Sequence, residues 1–288
     1  MFFRSTSHEK PRLSLKELAL LAYDIRKDIV QALYEAKSGH SGGPLGMAEV
    51  FTALYFHVMN VDPKHPDWPE RDRIVLSCGH ICPVLYATLA RRGFCDRSQF
   101  LKTLRKKGSP FQGHPNNHFN MGIETSSGPL AQGYSQAIGM ALAARLAGAR
   151  WRTYLVGSDG ELNEGQTWEA ILFAGKERLG NLTCIIDRNN IQIDGNTEDV
   201  MPLEPLADKW RAFNWNVIEI DGHNLRAIID AYKQAETVTD QPTVILARTI
   251  PGKGVSFMER KYEWHGKAPN KEELAQALSE LDRAKAAL

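Results

Sequence analysis

Thirty residues separate Asp159 from Asn189, and the chain between them reads as a strand end, a helix and a second strand. The first strand is the apolar run Thr153-Tyr154-Leu155-Val156, which closes on Gly157-Ser158-Asp159-Gly160-Glu161-Leu162-Asn163-Glu164-Gly165. The second, Leu182-Thr183-Cys184-Ile185-Ile186-Asp187, closes on Arg188-Asn189-Asn190. A strand-helix-strand unit of this kind sets its strands parallel, so both closing loops emerge at one carboxyl edge of the sheet. A carboxylate, an amide oxygen and a neighbouring backbone carbonyl form a hard-oxygen set. Such a set suits Mg²⁺, which completes its octahedral shell with ligand phosphates. Ser-Asp-Gly and Asn-Asn are also common turn sequences. Paired at this distance across the unit, they read as a metal clamp for a diphosphate.

The rest of the chain extends the same alternation. Leu15, Leu18, Ala22, Ile25, Ile29 and Leu33 recur at steps of three and four, which predicts a helix over 15–37. Ser14 and Glu17 supply a capping box, and Gly39 supplies the stop. Further helices are predicted over 48–59, from the residues after the first strand to about Arg92, and over 131–147, 163–178, 203–213, 224–236 and 271–287. The 131–147 pattern is rich in Ala and Gly, so another backbone can approach it closely. The last helix is placed on the surface. Strands are predicted at 73–77, 153–156, 182–187, 216–220 and 243–248. This order gives an α/β fold in three layers, a mostly parallel sheet covered by helices on both faces. Two long loops, 60–72 and 106–127, are rich in Pro, Gly, His and Asn, and the functional site is expected there.

Composition removes several classes of function. Lys and Arg total 35 against 34 for Asp and Glu, a balance that argues against a nucleic-acid surface. No apolar run approaches the length of a membrane span. Residues 1–10 lack the apolar core of a signal peptide. The four cysteines, Cys78, Cys82, Cys95 and Cys184, show no paired zinc spacing. Reduced, packed thiols in a cytoplasmic protein are the expectation.

Four histidines sit beside glycine at the predicted ends of elements: Gly39-His40, Gly79-His80, Gly113-His114 and His265-Gly266. One such histidine is ordinarily a capping or surface residue. Four of them near a metal-diphosphate site suggest groups that donate to phosphate or hydroxyls and move protons near neutral pH. His8, His57, His65, His118 and His223 are assigned structural or solvent roles.

The Asp159 to Asn189 pattern resembles the thiamine diphosphate motif, with Ser158 where a first Gly is usual. Taken in order, several segments resemble the N-terminal half of a transketolase: Ser38-Gly39-His40, Gly79-His80, Gly113-His114-Pro115, Ser127-Gly128-Pro129-Leu130, the Asp159 and Asn189 segments, and Trp264-His265-Gly266. The resemblance spans nearly the whole chain and implies one diphosphate-binding domain over 1–288. It implies that Asp159, Asn189 and the carbonyl of Ile191 hold Mg²⁺, or Ca²⁺ or Mn²⁺ in its place. It implies that Gly160 lies close to the diphosphate, that His80 and His265 contact it, and that Gly128 and Leu130 lie against the cofactor rings. His40, His114 and His265 would line the channel to the reacting carbon and contact substrate hydroxyls. Glu164 and Glu169 match carboxylates at a subunit interface that link the two cofactor sites.

The family's next domain, which carries the glutamate that activates the aminopyrimidine and the arginines that bind substrate phosphate, has no counterpart after His265. The resemblance therefore implies a partner chain with the pyrimidine-binding domain, and two copies of each chain in a heterotetramer. The isolated chain is expected to be inactive. A cloned fragment of a longer protein is the competing explanation, although the helical tail reads as a natural end. The implied activity is transfer of a two-carbon ketol unit from a ketose, expected to be phosphorylated, to an aldose. Half of a 1-deoxyxylulose-5-phosphate synthase, the α subunit of a 2-oxo acid dehydrogenase, and a non-catalytic regulatory paralogue are the alternatives.

Overall fold

The structure is a computed structural model that describes residues 13–119 and 121–288. The first ten residues, tested above for a leader, and His8 among them, lie outside the described residues. Helix α1 (Leu15–Ala36) opens on the expected capping box: Ser14 Oγ accepts from Glu17 N at 3.3 Å, and Glu17 Oε2 accepts from Ser14 N at 2.7 Å. Its stop differs from the expectation. The left-handed residue that closes it is Lys37, with φ 55°, whereas Gly39 has φ 126° farther along the loop. A one-turn helix α2 (Gly42–Gly46) follows, and α3 (Ala48–Ala53) widens into a π turn over Leu54–Val58.

Strand β1 (Arg73–Leu76), α4 (Cys82–Arg92), α5 (Arg97–Thr103), α6 (Gln132–Ala147), β2 (Thr153–Ser158), α7 (Gly165–Lys176) and β3 (Leu182–Arg188) come next. A hairpin of β4 (Ile191–Gln192) and β5 (Gly195–Asn196) leads through α8 (Thr197–Val200) to α9 (Leu206–Ala212). The chain ends with β6 (Asn216–Asp221), α10 (Leu225–Thr237), β7 (Thr243–Arg248) and α11 (Lys271–Ala286). The main sheet runs β1-β2-β3-β7-β6 with every pairing parallel.

The inner strands read as continuous apolar runs because both of their faces are buried. Alternate residues serve different layers. Val75, Leu155, Ile186 and Leu246 pack with α6, α7 and α9 residues such as Tyr134, Ile171 and Trp210. Ile74, Tyr154, Val156 and Ile245 pack with α1, α3, α4 and α10 residues such as Ile29, Phe51 and Ile228. Each large aliphatic side chain so buried contributes about 1.5–3 kcal/mol. The three-layer expectation holds. Close approach to α6 is also realised: a Cβ on Gly133 would lie 2.5 Å from Ser77 Cβ, so the helix is seated directly on the end of β1.

Two expectations need amendment. Helix α11 is solvated over most of its surface, but Ala277 and Leu281 are fully buried, and Lys27 pairs with Asp282 at 2.6 Å across the contact with α1. The loop 60–72 lies away from the site. It precedes β1, and Asp72 accepts from Asn60 N at 2.7 Å and from Arg152 N, just before β2, at 2.8 Å. That anchors the loop at the amino edge of the parallel sheet. The 106–127 loop does reach the opposite edge.

Candidate active site

The register of β2 and β3 sets Ser158 opposite Asp187, and Asp159 N donates to Asp187 O at 3.2 Å. Both closing loops therefore meet at the carboxyl edge, as their spacing predicts. The Asp159 carboxylate is fully buried. It accepts from Gly160 N at 2.8 Å, Asn190 N at 2.6 Å and Arg188 Nη1 at 3.3 Å. Asn190, with φ 62°, turns the chain between Asn189 and Ile191. Asn189 Nδ2 donates to Asp187 Oδ2 at 2.8 Å, while its Oδ1 accepts from Ile191 N at 2.8 Å. A carboxylate can only accept, so Asp187 fixes which way the Asn189 amide faces. The carbonyl oxygen of Ile191 lies 3.6 Å from the point where a Cβ on Gly160 would sit.

This donor set fits a divalent cation. Burial and the neighbouring Asp187 push the Asp159 carboxyl up to about 7, and burial pushes Asp187 up to about 6. The buried Asp159 carboxylate pairs with Arg188 at 3.3 Å, and the buried Asp187 carboxylate beside it adds negative charge for a cation to neutralise. The amide oxygen of Asn189 and the carbonyl of Ile191 are hard donors of the type Mg²⁺ prefers.

Above this cluster three imidazoles form a triangle. Ring centroids are 5.0 Å apart for His40 and His80, 5.3 Å for His40 and His265, and 5.1 Å for His80 and His265. His114 completes the group in one cavity of ≈ 400 Å³, whose wall also contains Gly128, Leu130, Gly160, Asn189 and Ile191. Burial, followed by the charge of His265, lowers His40 to about 4; burial, followed by the same neighbour, lowers His80 to about 3. His114 is lowered by burial and by Arg105, and His265 by burial alone. At neutral pH the four rings are thus uncharged, able to donate from one nitrogen and accept at the other.

Of the histidines set aside on sequence grounds, His223 has a structural role. His223 is a brace: its Nδ1 lies 3.1 Å from Glu49 Oε2, and its Nε2 accepts from Ile250 N at 2.8 Å. Glu164 occupies the N-cap position of α7 without a side-chain capping hydrogen bond and lines the cavity, whereas Glu169 lies in a shallow groove on the outer face of α6 and α7 with Gly139 and Phe173. A second cleft of ≈ 360 Å³ contains Arg188, Arg211 and Arg248, each already paired with a carboxylate.

Sequence reasoning misses several residues. Along the chain Asp187 is only the end of a strand, and nothing marks Thr249, whose hydroxyl donates to Asp187. Arg105 stands between two of the histidine loops: a Cβ on Gly113 would meet its Nη1 at 2.6 Å, and its charge acts on both His40 and His114. Nothing local in Arg105-Lys106-Lys107 distinguishes it from a solvated basic run. Glu161, in the middle of the metal motif, is buried and lines the cavity, and burial pushes its carboxyl up to about 7. An acid flanked by Gly160 and Leu162 inside that motif is the available signal.

Comparison with known proteins agrees with this geometry. Residues 19–285 match the family model described as the transketolase, thiamine diphosphate binding domain. The chain is 45% identical over 259 residues to the 6-deoxy-6-sulfo-D-fructose transketolase subunit SqwG of a Clostridium species, covering 90% of this chain and 94% of that protein. It is 40% identical over 269 residues to one subunit of the apulose-4-phosphate transketolase of Phocaeicola vulgatus, covering 93% and 95% respectively. Against the transketolase of Homo sapiens it is 36% identical over 281 residues, 95% of this chain but 43% of that one. Among solved structures, the transketolase from Leishmania mexicana superposes with a TM-score of 0.87 at 34% identity, covering 94% of this chain and 41% of that chain.

Proposed function

The chain belongs to the transketolase family, and on that premise we propose that it is the N-terminal, diphosphate-binding subunit of a two-chain transketolase. Its partner is a C-terminal subunit carrying the pyrimidine-binding domain, with two copies of each chain in a heterotetramer. The observation that carries the reading is the convergence of Asp159, Asn189, Ile191 and four histidines on one carboxyl edge. The two-chain arrangement is supported by relatives named as transketolase subunits, which this chain matches over nearly their whole length. It spans only about two-fifths of longer transketolases.

In this reading Asp159, Asn189 and the Ile191 carbonyl hold Mg²⁺, with Ca²⁺ or Mn²⁺ as substitutes. His80, His265 and Gly160 would lie on the diphosphate side of the cofactor, Gly128 and Leu130 along its rings, and Glu164 at the cofactor site toward the subunit interface. Thiamine diphosphate, when bound, supplies the electron sink for breaking a C–C bond beside a carbonyl. His40, His114 and His265 meet the sugar. An uncharged imidazole there accepts the proton of the donor's C3 hydroxyl as the C2–C3 bond breaks. It returns a proton to the aldehyde oxygen of the acceptor when the new bond forms. Positioned acid-base groups of this kind contribute about 10²–10⁴-fold each. The substrates proposed are a ketose, phosphorylated in the first instance, and an aldose. Four free thiols, three of them buried, fit a reducing compartment, and the cytoplasm is the setting proposed.

The test is a glycolaldehyde-transfer assay on the purified chain with and without the C-terminal subunit, in Mg²⁺ and thiamine diphosphate. Transfer that requires both chains and the cofactor is expected. Full turnover by the chain alone, or transfer indifferent to the cofactor, refutes the proposal.

A further inference from the structure

Glu161 occupies a 3₁₀ turn over Gly160–Asn163, two residues beyond Asp159, and is 1% exposed. One of its oxygens, Oε1, receives two donors from distant parts of the chain. Ala131 N donates to it at 2.7 Å, and the hydroxyl of Ser77, at the end of β1, donates to the same atom. Ala131 is the residue from which α6 starts, and its φ of 71° is a left-handed conformation unusual for a residue with a Cβ. No side chain caps this helix from its own N-cap position. The Glu161 carboxylate performs that role from across the sheet edge, where the positive end of a sixteen-residue helix favours it.

The segment so held is the one before α6, Ser127 to Leu130. At its start Ser127 N donates to Pro115 O at 3.1 Å, and its contact with the loop after β1 is steric. A Cβ on Gly79 would come within 2.9 Å of Ser127 Cβ and 3.2 Å of Gly128 N, so β1's closing loop and this segment already touch. Glu161 adds the polar joint between them and the metal turn. Its second oxygen, Oε2, has no well-aligned hydrogen bond, although the backbone of Ser158 stabilises the carboxylate, and the residue lines the same cavity as Gly128 and Leu130.

We propose that Glu161 is a positioning residue that ties the Asp159 turn to the Gly128–Leu130 segment and so fixes the distance between the diphosphate end and the ring end of the cofactor site. The inference rests on the reading that this cavity takes thiamine diphosphate. Its prediction is specific: loss of Glu161 weakens the hold on the rings and spares the hold on the diphosphate. Charge-assisted hydrogen bonds are about twice as strong as neutral ones, so losing both is expected to cost about tenfold in ring-dependent affinity.

The experiment uses the complex of this chain with its C-terminal subunit. Thiamine diphosphate and inorganic pyrophosphate are titrated separately, each with Mg²⁺, by calorimetry. Tryptophan fluorescence provides a second readout, since Trp168 Nε1 donates to Leu162 O at 2.8 Å beside Glu161. Glu161→Ala is expected to cut the preference for thiamine diphosphate over pyrophosphate about tenfold, with pyrophosphate affinity unchanged. Glu161→Gln, whose carbonyl oxygen can accept both donors, is expected to retain most of the preference. Equal weakening of both ligands, an unchanged preference, or a Gln variant that behaves like Ala overturns the proposal. If Glu161→Ala does not fold, Ser77→Ala removes one of the two donors and is expected to reduce the preference about threefold; no reduction there overturns it equally. A wild-type complex that binds pyrophosphate and thiamine diphosphate alike refutes the cofactor assignment itself.

Discussion

Acidification is expected to act on this fold through the imidazole triangle, and the size of the effect follows from two values. His40 is lowered to about 4 and His80 to about 3, in each case first by burial and then by the neighbouring rings. In the unfolded chain both titrate near the ordinary histidine value of about 6.5. A group whose folded pKa is depressed excludes a proton that the unfolded chain accepts. Its contribution is fully present above about 6.5 and is lost as the pH falls toward the folded value. Between pH 7 and pH 5 each ring therefore withdraws about 2 kcal/mol. Other groups at the site run the opposite way. Asp159 and Glu161 are raised to about 7 and Asp187 to about 6, so they favour the folded state on acidification and mask the histidines in a simple pH scan.

The comparison that isolates the imidazoles is between wild type and His40→Asn, each unfolded in denaturant at pH 7 and at pH 5 without added metal or cofactor. The carboxylates are common to both proteins and cancel. The stability difference, wild type minus variant, is expected to fall by about 2 kcal/mol on going to pH 5, or about 4–8 °C in melting temperature for a domain of this size. His80→Asn is expected to give a similar change, because at pH 5 both folded rings are still largely uncharged. Curves that remain parallel would mean that the folded rings take up protons as freely as the unfolded ones. The uncharged triangle, and the proton-accepting role drawn from it, would then be wrong.

Three further outcomes can be checked directly. Asp159→Ala is expected to abolish Mg²⁺-dependent binding of thiamine diphosphate in calorimetry, and unchanged affinity would remove Asp159 from the metal site. His114→Ala is expected to leave cofactor affinity nearly intact and to slow turnover by about 10²–10⁴-fold; a wild-type rate would exclude the ring from proton transfer. Arg105→Ala removes a cation whose charge lowers both His114 and His40, so both imidazole midpoints are expected to rise in an NMR titration, and unmoved midpoints would show that the guanidinium does not act on them.

Much of this molecule is legible along the chain because its information is periodic or local. The apolar runs around Leu155, Ile185 and Ile245 announce buried parallel strands, since a strand covered on both faces has no polar alternation to show. The capping box at Ser14 and Glu17 needs only residues three apart. The Asp159 to Asn189 spacing is set by one strand-helix-strand unit, whose handedness leaves a single way for both ends to meet. What sequence could not supply were partners brought together by the sheet. Arg105 comes to act on His40 and His114 only because two histidine loops close around it, and the loop over 60–72 looks functional until β1 places it at the amino edge. Asp187 acquires its role from Thr249 and Asn189, and Glu161 from Ala131 and Ser77, across separations of up to 84 residues. Hydrogen bonds between such distant groups leave no period in the sequence, because their geometry exists only after the strands have registered.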